Sequence, residues 1–179
     1  MSFQVDTSWT LFLDRDGVIN RRDFQGYIQK VEDFDFLKGV KEGLQRISNK
    51  FGRIIVVTNQ QGVGKGLMKH EQVEEIHFYM KKELERYGVT IDAVYSATNL
   101  KGAENDRRKP LSAMGIEAKN DFPEIDFQRS IMIGDTDSDI QFGKNLGMKT
   151  VLIKSEEKIS MKSDWIVNNL IELADELEK

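Results

Sequence analysis

Six short runs of apolar and β-branched residues recur along the chain, at positions 9–14, 53–58, 93–97, 130–134, 149–153 and 165–167. Most lack the polar alternation of a strand with one wet face, so they read as strands buried on both sides. Helical spacings lie between them. Val40, Leu44 and Ile47 mark a helix that stops near Gly52, and Val73, Ile76, Met80, Leu84 and Tyr87 mark a longer one ending at Gly88. Asp137 is placed to cap a third, which contains Ile140 and Leu146 and closes at Gly147, while the tail 168–179 reads as a fourth. Strands alternating with helices imply an α/β fold, a doubly wound, Rossmann-like parallel sheet with helices on both faces.

Nothing along the 179 residues marks a second domain, neither a repeat nor a shift in composition, and 39% apolar residues supply one continuous core. Residues 1–179 are therefore read as a single domain. The chain has no cysteine, which excludes disulfides, thiolate nucleophiles and cysteine-based zinc sites. With 26 Lys and Arg against 30 Asp and Glu, the formal net charge is -4, so no broad basic face for nucleic acid is expected. Positions 1–10 lack a basic start followed by an apolar run, and no stretch approaches the length that spans a bilayer. The expectation is a cytoplasmic monomer, with neither nucleic acid nor membrane as a partner.

The chemistry is concentrated where apolar runs end. Leu11-Phe12-Leu13 leads into Asp14-Arg15-Asp16-Gly17, two carboxylates two residues apart. In extended chain such residues point the same way, so both can face the crevice beyond the carboxyl end of the strand, where open α/β sheets bind ligands. A calcium loop starting at Asp14 fails, because Ile19 stands where glycine is needed and Gln25 where a bidentate glutamate should be. A second strand ends in Thr58-Asn59-Gln60-Gln61-Gly62, whose hydroxyl and backbone N–H groups suit phosphate oxygens. A nucleotide-binding P-loop is not formed here, since Asn59 and Gly66 replace an essential glycine and a serine or threonine.

Third comes Arg107-Arg108-Lys109-Pro110, cations ahead of a helix expected to begin near Leu111. Fourth is Gly134-Asp135-Thr136-Asp137-Ser138-Asp139, hard oxygen donors at another strand end, a set that suits magnesium. Each segment alone has a plain structural explanation, as a strand end, a solvated basic patch or a helix cap.

Their order is what discriminates. Acids, hydroxyl, cation and acids, spread over residues 14 to 139, resemble the four-motif signature of the haloacid dehalogenase superfamily. Asp14 to Gly17, Thr58-Asn59-Gln60, Arg108-Lys109-Pro110 and Gly134-Asp135 are most similar to the branch of heptose-bisphosphate phosphatases and their histidinol-phosphatase relatives. The resemblance implies a phosphatase for a small phosphorylated metabolite. Asp14 would be the nucleophile that becomes a phosphoaspartate, and Asp16 the acid that protonates the leaving alcohol and later activates water. Magnesium would be held by the Asp14 side chain, the Asp16 carbonyl and the Asp135 side chain. Thr58 and Lys109 would bind the transferring phosphoryl group, Asp139 would orient Lys109, and Arg108, Asn59 and Gln60 would recognise the rest of the substrate.

The intervals between motifs leave no room for a separate cap domain, so selectivity is assigned to short loops, chiefly 20–27, with Gln25, Gly26 and Tyr27, and 97–107. Gly26-Tyr27-Ile28, the segment 34–40 and the glycine-rich 61–66 look closer to the heptose branch. A sugar bisphosphate is the favoured substrate, with histidinol phosphate or another monoester as the alternative. A phosphoaspartate receiver domain is the reading from another class, disfavoured because it has no use for a second acid at position 16. Many family members carry a structural zinc in the third-motif loop; here Ser96, Thr98, Asn105 and Arg107 stand at the corresponding positions, so no zinc is expected and the loop is expected to be mobile. His70 and His77 are expected to face solvent. Thr136 is a further departure, since a lysine often stands there in the heptose branch.

Overall fold

The computed structural model describes residues 4–179. Six parallel strands, β1 (Thr10–Leu13), β2 (Arg53–Asn59), β3 (Ala93–Ala97), β4 (Ser130–Gly134), β5 (Lys149–Ile153) and β6 (Trp165–Val167), form one sheet in the order β3-β2-β1-β4-β5-β6. Five helices cover it: α1 (Val40–Ile47), α2 (His70–Glu85), α3 (Ala113–Asp121), α4 (Asp137–Leu146) and α5 (Leu170–Leu177). The predicted strands and four predicted helices are all present. The helix expected from Leu111 begins instead at Ala113, because Leu111 donates its N–H to Arg108 O in a tight turn (2.8 Å) before the helical pattern starts.

Side-chain alternation divides the sheet into two cores. Leu11, Leu13, Ile54, Val56, Ile131 and Ile133 face α1, α2 and α5, meeting Leu44, Ile47, Ile76, Met80, Leu84 and Leu173. Phe12, Ile55, Val57 and Met132 face the other way, against Met114 and Ala118 of α3 and Phe142 of α4. Each large side chain removed from water in this way contributes about 1.5–3 kcal/mol. Central strands must be apolar on both faces, which is why β1, β2 and β4 read as unbroken apolar runs.

β1 pairs with β2 on one side and β4 on the other, in matched register: Leu13 is opposite Val56 and Ile133. The chain winds outward from β1 through β2 to β3, then returns to β4 and winds the other way. Strand order therefore reverses beside β1, the place where parallel α/β sheets open a crevice beyond their carboxyl ends. The matched register brings the residues following β1, β2 and β4 to one level. α4 then leaves the sheet under a cap made by Thr136, not by Asp137 as expected: Asp139 accepts from the Thr136 N–H (3.0 Å) and hydroxyl (2.6 Å). Asp137 instead accepts from the backbone N–H groups of Ser160 and Met161. Among the described residues no helix is long and apolar enough to cross a membrane.

Candidate active site

Immediately after β1 the chain folds back on itself. The Ile19 N–H donates to Arg15 O (2.8 Å) and the Gly17 N–H to Asn20 O (2.8 Å), which turns the Asp16 carbonyl toward the crevice. Gly17 is required twice over: its φ is +95°, and a Cβ would lie 2.1 Å from Asp135 Oδ2. Gly134 meets the same kind of constraint, since a Cβ there would fall 2.0 Å from Asp139 Cβ. The glycines let β1 and β4 deliver their acids to one point.

At that point Asp14 is buried, its Oδ1 2.7 Å from the Lys109 ammonium and 2.7 Å from the Arg15 N–H. The same ammonium lies 2.6 Å from Asp139 Oδ1 and donates to Val57 O (2.7 Å), so Lys109 is fixed from β2, α4 and β1 at once. Asn59 clasps the Lys109 main chain from the end of β2. Its Oδ1 accepts from the Lys109 N–H (2.9 Å) and its Nδ2 donates to the Lys109 carbonyl (3.1 Å). Thr58 lies buried below, where its Oγ1 accepts from Gln60 Nε2 (2.8 Å).

Asp16 stands beside Asp14 in a different electrostatic setting. Its carboxylate accepts from Arg15 (3.0 Å), Asn20 Nδ2 (2.9 Å) and Gln60 Nε2 (2.7 Å). Burial pushes its proton affinity up, but the Arg15 charge and these hydrogen bonds more than offset that, so its pKa falls below the usual carboxylate value. Asp14 goes the other way. Burial raises it to about 6 against the pull of Lys109, with the negative charges of Asp139 and Asp16 adding to the rise. Asp135, buried and next to Asp14, is raised to about 8 by desolvation and by that neighbouring charge. Two acids two residues apart thus differ in their hold on a proton, Asp14 holding it the more tightly.

The Asp14, Asp135 and Asp139 carboxylates have oxygens within 4.8 Å of one another. Asp139 is engaged by Lys109 and Thr136. Asp14 and Asp135, with the Asp16 carbonyl, form a set of hard oxygen donors, and Asp135 Oδ2 is buried without a hydrogen-bond partner. Such a set fits a small oxygen-seeking dication.

A cleft of about 250 Å³ opens above these groups, walled by Asp23, Gly26, Tyr27, Ile28 and Arg108 and floored by Asp14, Asp16, Asn59, Gln60 and Lys109. Its walls are loops. Among the residues expected to touch substrate, Gly26, Tyr27 and Arg108 reach the cleft; Gln25 is exposed and away from it, its N–H donating to Asp23 Oδ1 (2.9 Å). Asn59 and Gln60 line the cleft but use their amides on Lys109, Thr58 and Asp16. The 98–108 loop is organised by Asp106, which accepts from the Gly102 N–H (2.8 Å) and the Arg108 N–H (2.9 Å), and by an Arg107–Glu117 ion pair.

Three residues near the site escape sequence reasoning. Arg22 sends Nη2 to Asp135 Oδ1 (2.7 Å) and the Asp16 carbonyl (2.9 Å), across a separation no local pattern encodes. Asn20 holds Asp16 from within the turn. His77 was expected to face solvent, but it is only 4% exposed and its Nε2 lies 3.2 Å from Arg15 Nη1, whereas His70 at the helix start is exposed. His77 falls one position after Ile76 and four after Val73, on the buried face of α2, where the guanidinium gives it a polar partner. Desolvation and the Arg15 charge push its pKa down to about 3, so it is a neutral acceptor.

A HAD-hydrolase-like family model matches residues 106–173. The chain is 38% identical over 148 residues to the D-glycero-alpha-D-manno-heptose-1,7-bisphosphate 7-phosphatase of Campylobacter jejuni, with 83% of each protein covered. It is 32% identical over 175 residues to the D-glycero-beta-D-manno-heptose-1,7-bisphosphate 7-phosphatase of Haemophilus ducreyi, covering 91% of this chain and 94% of the relative. In fold it is similar to a D,D-heptose 1,7-bisphosphate phosphatase from B. bronchiseptica crystallised with magnesium and phosphate, at a TM-score of 0.84 and 21% identity over 95% of this chain and 98% of that one. The chain is a phosphoric monoester hydrolase of the haloacid dehalogenase superfamily and belongs to the family of the heptose-1,7-bisphosphate phosphatases.

Proposed function

We propose that this phosphatase removes the 7-phosphate of a D-glycero-D-manno-heptose 1,7-bisphosphate, leaving the 1-phosphate, through a phosphoaspartate on Asp14 and with magnesium as cofactor. The substrate reading is supported by the names of the relatives, which share the 7-phosphatase designation and divide between the alpha and beta anomers. The chemistry rests on one observation above the others: Asp14, Asp16 and Lys109 meet at the floor of one cleft, and Asp135, from a third segment of the chain, lies buried against Asp14.

Asp14 attacks phosphorus, and the bond to the sugar oxygen breaks as the bond to the carboxylate oxygen forms. The Lys109 ammonium, already 2.7 Å from Asp14, holds the nucleophile and lies next to the incoming phosphoryl oxygens. Asp16 is ionised in the free site; the phosphate dianion adds negative charge beside it and raises its proton affinity, so the acid is loaded as substrate binds. It gives that proton to the leaving alkoxide. The resulting carboxylate then takes a proton from water, which attacks the phosphoaspartate and releases inorganic phosphate, restoring Asp14. The Asp14 and Asp135 carboxylates with the Asp16 carbonyl would hold the magnesium ion. When bound, it neutralises the repulsion between an anionic nucleophile and an anionic substrate. Arg108 and Tyr27 on the cleft wall would take the remainder of the sugar.

A phosphate-release comparison tests the substrate assignment, with both heptose bisphosphate anomers, histidinol phosphate, and simple sugar and nucleotide monophosphates. A heptose bisphosphate is expected to give the highest kcat/KM. Equal or better turnover of histidinol phosphate would overturn the assignment while leaving the reaction class intact.

A further inference from the structure

The oxygens assigned to the cation are already occupied by the chain itself. Arg22 Nη2 lies 2.7 Å from Asp135 Oδ1, 2.9 Å from the Asp16 carbonyl and 3.8 Å from Asp14 Oδ2, which touches all three donors of the set. Its other nitrogen, Nη1, is 3.0 Å from Glu157 Oε1, on the segment after β5. Asp135 and Asp14 are almost entirely enclosed, but the Arg22 side chain is 22% exposed and lines the cleft. That opening provides a way out without unfolding. A magnesium ion sits about 2.0–2.1 Å from its oxygen ligands and cannot share them with a guanidinium nitrogen at hydrogen-bond distance. The two cations exclude each other.

We propose that Arg22 is a positioning residue that occupies the cation position of the metal-free protein, keeps Asp14 and Asp135 together, and is displaced when the metal binds. The proposal rests on the reading of Asp14, Asp16 and Asp135 as the metal donors. Arg22 Nη2 bridges the Asp135 carboxylate and the Asp16 carbonyl beside Asp14 and so holds the donors assembled, at the cost of competing with the metal. The apparent metal affinity is then the intrinsic affinity reduced by the fraction of molecules in which Arg22 has left.

Arg22→Gln, compared with the unmodified protein, separates this role from a purely structural one. Titration with Mn2+ followed by electron paramagnetic resonance, and with Mg2+ by calorimetry, is expected to show binding about tenfold tighter in the variant. The metal-free variant should melt at a lower temperature, and the gap between its metal-free and metal-saturated melting temperatures should widen. Unchanged or weaker metal binding in Arg22→Gln would overturn the proposal. Asp135→Asn keeps the two questions apart: if it binds metal as well as the unmodified protein, the donor assignment itself is wrong. Crystal structures of the unmodified protein with and without Mg2+ give a test independent of any variant. The guanidinium should have left Asp135 in the metal-bound form, and a guanidinium still within hydrogen-bond distance of Asp135 beside a bound metal would refute the displacement.

Discussion

Asn59 holds the main chain of Lys109 at both of its polar groups, accepting from the N–H at 2.9 Å and donating to the carbonyl at 3.1 Å. The residue expected to read substrate thus places the ammonium that faces Asp14. Positioning of this kind acts on the barrier more than on binding. Asn59→Ala is expected to lower kcat by about 10- to 100-fold with a much smaller change in KM, measured by steady-state phosphate release. A KM effect alone would return Asn59 to substrate recognition.

Lys109→Met leaves Asp14 and Asp139 enclosed without their shared counter-charge. Breaking a buried pair from one side costs about 3–5 kcal/mol, so chemical denaturation should show a loss of that order together with loss of turnover. A variant as stable as the parent would mean that the two acids find another partner or take up protons at no cost.

Asp16→Ala should reduce turnover by about 10² to 10⁴, the worth of a positioned acid–base group. The loss should be largest for alkyl phosphates, whose leaving oxygens need a proton, and smaller for aryl phosphates with acidic leaving groups. Equal losses across a leaving-group series would contradict the proton-donor role.

His77 predicts an acid-sensitive fold. Its folded pKa of about 3 lies below the ordinary value of 6.5, so the unfolded chain binds the extra proton first and stability falls as the pH drops through that interval. The slope from this one group approaches about 1.4 kcal/mol per pH unit below 6.5 and flattens near 3. His77→Gln keeps an acceptor for Arg15 without the titration. Its stability, followed by urea unfolding between pH 6.5 and 4.5, should decline less steeply than the parent's, and parallel declines would count against a buried neutral His77.

The strands, their shared buried character and the acids at their ends were legible because they are local: apolar runs of strand length, each closed by a residue type with evident chemistry. Asp14, Asp16 and Asp135 close such runs and Lys109 precedes a helix; the order of these segments, through the resemblance to the superfamily, is what singles them out, and the sheet order then brings them together. Arg22 could not, because its partner Asp135 lies 113 residues away and nothing about a basic residue in a polar loop marks it. His77 is read as exposed because a polar residue on an amphipathic helix ordinarily faces solvent; the buried Arg15 that gives it a partner is 62 residues distant. Asn59 and Gln60 were recognised as site residues by position, but the direction in which an amide points depends on what lies across the crevice.

The central claim is that phosphate passes through Asp14, and the configuration at phosphorus reports on it directly. Hydrolysis of a substrate made chiral at phosphorus with oxygen isotopes and sulfur should release thiophosphate with net retention, the outcome of two successive in-line displacements. Inversion would mean that water attacks the substrate in a single step, and Asp14 would not be the nucleophile.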